Sequence, residues 1–186
     1  MTHSVPQDLQ DFIRLHPACE HPFLARLSRA GVGSEALTLF AREYAILRRG
    51  ARAVDACCPQ SEERFADFLR SCGVGVPADE HALPGTRMAL DGLRDVLRDP
   101  RLHDGSLWAI EQVGRSWAQG WLKTTCSRGT WDIYWQELSR AEDWVRTPRM
   151  DAMTLSPWYE GARHSLNRLA NFLDGLEAAV TTLQAA

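Results

Sequence analysis

The sequence is almost without lysine. Its 21 basic residues are twenty arginines and one lysine, Lys123, set against 24 acidic residues for a net charge of -3. There is no excess of positive charge, so neither nucleic acid nor an anionic membrane is expected as a partner. No apolar run approaches the roughly 18 residues that a membrane span requires. The opening stretch MTHSVPQDLQDF has no charged n-region and no apolar h-region, so no signal peptide is expected. Cysteine is scarce and odd in number: Cys19, Cys57, Cys58, Cys72 and Cys126, none in a CxxC pair. That pattern predicts free thiols in a reducing cytoplasm rather than a disulfide framework. Missing too are the nucleophile elbow G-x-S-x-G, a glycine-rich phosphate loop after a strand, and the E-x-x-H signature of di-iron bundles. No segment alternates in the manner of a β-strand.

What is present is helical periodicity along nearly the whole chain. A length of 186 residues, 45% of them apolar, suits one domain over residues 1–186 with a full core. In the stretch 34–58, Leu37, Phe40, Tyr44, Leu47, Ala51 and Val54 recur at steps of three and four, which predicts one apolar face. Ser34 is a good N-cap for it. Short helices are expected over 8–15 and 22–30, and longer ones over 61–72, 86–99, 105–126, 130–145 and 156–183. Pro100 stops the helix at 86–99. Ser156 and Pro157 are read as the N-cap and first position of the last helix. The stretch 73–85 reads as a loop. The expectation is an all-α compact bundle of about seven or eight helices.

Two features invite a functional reading. One is RLHPACEHPFL, residues 14–24, where His16, Cys19, Glu20 and His21 fall between prolines. Zinc wants about four ligands, usually with a second paired motif. The next histidine, His81, has no cysteine at useful spacing. The alternative is a joint, with His21-Pro22 ending one helix and opening the next and Cys19 buried. The other feature is the tryptophan set, all seven of which lie between Trp108 and Trp158. They form either a core stripe or an aromatic pocket. Trp131, Tyr134 and Leu138 share one helical face, and Trp135, displaced from it, is expected to look outward. Within the same region Glu111 lies in an apolar helix, where a carboxylate is costly unless paired or liganding. Arg115, four residues on, is a candidate partner.

Four stretches together resemble the haem-oxygenase-like superfamily, which includes haem oxygenases, TenA-like thiaminases and non-haem di-iron oxidases. They are HPACEHPFLARLSRAGVGSEALTLFAREYAIL, GSLWAIEQVGRSW, TWDIYWQEL and YEGARHSLNRLANFLDGL. The resemblance spans most of the chain at coarse level and implies a haem-binding oxygenase. His16 is then the proximal iron ligand, Glu20 orients the edge of the site, Arg163 faces the propionates, and Glu111, Gln112 and Gly114 line the distal helix. Such an enzyme would also need an electron donor. A non-haem iron oxidase of a small metabolite, using Glu111 and His164, is the second implication. A third is a member without cofactor that binds a smaller ligand or a partner. The sequence departs from the haem pattern where Gln112, Ser116 and Trp117 stand in place of glycines. It departs from a di-iron H-x-x-x-D-x-x-H pattern where Pro157 and Gly161 precede His164.

Overall fold

The computed structural model describes residues 7–27, 34–52, 60–75, 81–124, 131–140 and 152–185. The described residues form eight helices and no strand: α1 Gln7–Arg14, α2 Pro22–Leu27, α3 Ser34–Arg52, α4 Gln60–Ser71, α5 Pro84–Arg98, α6 His103–Thr124, α7 Trp131–Arg140 and α8 Ala152–Ala185. The parts of the expected helices at 53–58 and 141–145 lie outside the described residues, as do Cys57, Cys58 and Cys126.

Local chemistry sets several helix ends. α4 closes with Gly73 at φ +71°, a conformation open to glycine because it has no Cβ. The Val74 N–H reaches the Leu69 carbonyl at 2.9 Å and the Gly73 N–H reaches that of Arg70 at 3.0 Å. This is a Schellman ending, and the buried pair Leu69 and Val74 supplies its apolar contact. α5 starts at Pro84, two residues earlier than its apolar periodicity suggests. Proline suits a first turn because the N–H it lacks has no helical partner there. The residue before it, Leu83, cannot cap the helix with its own side chain. Glu43 of α3 does so from a distance: its Oε2 accepts the Leu83 N–H at 2.9 Å. Its Oε1 accepts bonds from Arg42 Nε and Nη2 at 2.9 and 2.7 Å. Glu43 is wholly buried, and these bonds stand in for the water it has lost.

The last helix begins earlier than expected. α8 runs from Ala152, so Pro157 lies in its second turn rather than at its first position, and Ser156 is not the N-cap. The start moves because a proline this near an N-terminus removes only one backbone bond, leaving tertiary packing to decide where the helix begins. At 34 residues α8 is the spine of the bundle, and it packs chiefly on α5 and α6. Glycines permit the close crossings. A Cβ on Gly161 would fall 2.1 Å from the Leu102 carbonyl oxygen, and one on Gly105 would fall 1.9 Å from that of Trp158. The helices therefore meet backbone to backbone at these two points.

The buried side chains make one contiguous core. Its centre is aromatic. Phe40 stacks on Tyr44, Trp121 and Trp135 at centroid separations of 5.5, 5.9 and 6.3 Å. Trp135 in turn stacks on Trp121 at 5.6 Å. Trp135 is thus fully buried and does not look outward as expected, although it lies off the face shared by Tyr134 and Leu138. The reason is that α7 is wedged between α4 and α6: Tyr134 packs on Phe65 and Phe68 of α4 while Trp135 turns to Trp121 of α6. A helix with neighbours on two sides buries two adjacent faces, and a single-stripe reading finds only one of them.

Candidate functional site

The stretch that links α1 to α2 lies against both α6 and α8. Each of its histidines makes the same pair of hydrogen bonds. The Nδ1 atom of His16 accepts the Ala18 N–H at 3.2 Å, and that of His21 accepts the Phe23 N–H at 3.1 Å. A side chain that accepts the N–H two residues on reproduces an Asx-turn, here with imidazole in place of a carboxamide. With Nδ1 accepting, the neutral ring carries its proton on Nε2. His16 Nε2 donates to Asn167 Oδ1 at 3.2 Å and His21 Nε2 to Asp174 Oδ1 at 3.1 Å.

The acceptors on α8 are seven residues apart, two helical turns, and so lie on one face. Arg26 extends the same line, bonding Glu177 and, at 3.1 Å, Gln184. From the other side, α6 supplies donors to the main chain of the turn. Trp117 Nε1 donates to the Ala18 carbonyl at 2.6 Å, and Ser116 Oγ to that of Cys19 at 3.3 Å. The Trp117 ring is buried and lies within 6.0 to 6.4 Å of Tyr44, Phe172 and Phe40. The junction is thus a three-way clamp of α6, α8 and the N-terminal segment.

Burial depresses the His16 pKa below its ordinary value, against the opposing bond to Asn167. Burial also pushes the Cys19 thiol up to about 11, with Ser116 pulling the other way and Glu20 adding to the rise. Cys72 is raised to about 11 for the same main reason. Burial thus disfavours the thiolate, the nucleophilic form, at both cysteines.

Haem, the group implied by the resemblance, needs an imidazole lone pair directed into a slot beside the distal helix. His16 directs its free lone pair at Ala18 N–H and its proton at Asn167, and the indole of Trp117 fills the interior beside the turn. These residues do not fit the group as they are arranged. Of the other residues implied, Glu20 and Arg163 are exposed, and Glu111 and Gln112 are half-buried, each with an interaction of its own. Gly114 looks toward α7, where a Cβ would meet Leu138 at an ordinary 3.8 Å. For the non-haem reading, His164 lies 3.6 Å from Glu160 on the outer side of α8. Among the described residues no three His, Cys, Asp or Glu side chains gather in a way that could hold a metal ion. At Gly161, the position where the di-iron pattern has aspartate, the Leu102 carbonyl occupies the room a side chain would need.

Sequence reasoning missed the α8 half of the clamp. Asn167 and Asp174 carry no signature of their own. The available signal was the repeated His-Pro dipeptide, matched by two polar residues two turns apart. Among the described residues no helix is long and apolar enough to cross a membrane. No protein-family model matches the chain, and no curated protein is similar to it.

Proposed function

We propose that this chain is a cofactor-free, non-catalytic binding or scaffolding protein built on a haem-oxygenase-like bundle. The observation that carries the reading is the placement of Trp117. Its ring lies among Phe40, Tyr44 and Phe172 and its N–H holds the Ala18 carbonyl, so a flat cofactor beside α6 would have to expel a packed indole. Two further arrangements support it. The ring nitrogens of His16 are both engaged, and His164 pairs with Glu160 of its own helix. Large rings packed at van der Waals distance make a stiff interior that resists opening.

Hemin titration of the purified protein tests this. The expected outcome is no Soret shift that saturates at one equivalent, and no saturable quenching of the tryptophans. Iron retained after anaerobic loading is expected to be far below one equivalent. A stoichiometric Soret band abolished by His16→Ala would establish the haem reading instead. Stoichiometric iron without such a band would establish the non-haem reading.

A further inference from the structure

We propose that the outer side of α1 and the first turns of α8 form a docking surface for a second copy of this chain. Among the described residues, six large apolar side chains stand exposed. Met88, Ile133 and Leu183 are spread over α5, α7 and the far end of α8, as single exposed apolar residues commonly are. The other three gather. Leu15 is 69% exposed, Tyr159 40% and Leu155 38%. Phe12, half-buried, joins them: its ring lies 4.6 Å from that of Tyr159. Leu15 continues the last turn of α1, with its N–H on the Asp11 carbonyl at 2.9 Å, and so lies beside Phe12. Leu155 lies one helical turn before Tyr159. A contiguous apolar patch rimmed by charge marks an interaction site.

The rim decides what fits. α1 and α8 run in the same direction here, since Phe12 meets Tyr159 and, further along both, His16 meets Asn167. Each carries an acid followed three positions later by a base: Asp11 and Arg14 on α1, Glu160 and Arg163 on α8. The patch therefore has an acidic end and a basic end. The pairs made within the chain leave these groups partly in water. Arg14 and Asp11 meet at 3.4 Å, and Glu160 lies 3.6 Å from His164. Surface pairs of this kind contribute little, so the charges can be shared with a neighbour. Two copies related by a two-fold axis run antiparallel across it. The acidic end of one then meets the basic end of the other, twice over. A partner presenting one sign of charge gains at one end of the patch and loses at the other.

The patch is small beside the roughly 800 Å² per partner of a standard interface, so a weak, concentration-dependent dimer is expected. The proposal does not depend on whether the bundle takes a cofactor.

Sedimentation equilibrium of the intact protein over about 5–500 µM tests it. The expected result is a monomer–dimer equilibrium with a midpoint of about 10–100 µM. Leu15→Glu is expected to weaken it at least about tenfold, whereas Met88→Glu, an equally exposed site on α5, shifts it less than about twofold. Arg14→Glu with Arg163→Glu makes the rim wholly acidic, and Asp11→Arg with Glu160→Arg makes it wholly basic. Neither double variant is expected to self-associate, and an equimolar mixture of the two is expected to return to within about threefold of the wild-type midpoint. A wild type that remains monomeric would overturn the proposal and leave a different protein as the occupant of the patch. So would a dimer that tolerates Leu15→Glu, or charge variants that keep the helical circular dichroism of the wild type and still fail to associate when mixed. The first of these outcomes is read on the unaltered chain and does not depend on any variant folding.

Discussion

The interior between α3, α4, α6 and α7 and the junction between α1 and α2 are held by different forces. The interior is a mass of rings: Phe40, Tyr44, Phe65, Phe68, Trp117, Trp121, Tyr134 and Trp135 touch in a continuous network, and their contacts are mostly non-directional. The junction buries only a few apolar side chains, among them Ala18, Cys19 and Phe23. It is fixed by directed bonds from His16, His21, Ser116 and Trp117. Burial of area scales with size and tolerates reorientation, whereas a directed bond to main chain fixes one geometry and fails when its acceptor changes charge state. The interior therefore sets how stable the bundle is. The junction sets where the N-terminal segment lies.

Truncation separates the two regions. Trp135→Ala removes a fully buried ring from the centre of the network and is expected to cost about 3–5 kcal/mol, since the surrounding helices collapse only partly into the space. Urea unfolding, with the midpoint falling at unchanged slope, measures it. A loss below about 1 kcal/mol would mean that the rings are loosely packed. His21→Ala has a smaller expected effect, about 1–2 kcal/mol, from the lost cap on α2 and the Phe23 amide left without its acceptor. Its loss of amide protection is expected to stay local to 21–27, whereas that of Trp135→Ala spreads over α4, α6 and α7. Equal and global effects of the two would erase the distinction between the regions.

The fold class was legible because amphipathic periodicity is a local property. Phe40 and Tyr44 of α3 announce a buried stripe without reference to any other helix. Trp135 was not legible, since its burial depends on α7 having α4 on one side and α6 on the other. The start of α8 was misplaced for a related reason: Ser156-Pro157 is a strong local start signal, and packing of the whole helix overrides it. At the junction, the joint at His21-Pro22 could be read from the proline, and Cys19 is buried as a joint requires. The roles of the rings could not be read. A histidine serves as ligand, base or backbone cap according to where its two nitrogens point, and here Asn167 and Asp174, some 150 residues away in the chain, decide that. Glu43 presents the same difficulty. Its carboxylate caps a helix that begins forty residues later, and nothing near it in the sequence marks that role.

The central claim is that His16 serves the backbone and is not available to a metal. Nitrogen-15 NMR of the wild-type imidazole at neutral pH tests it most directly. The account predicts the Nε2–H tautomer, with an unprotonated Nδ1 correlated to the Ala18 amide and resonances unmoved by one equivalent of hemin. An Nδ1–H tautomer, or loss of the His16 resonances on hemin addition, would contradict it.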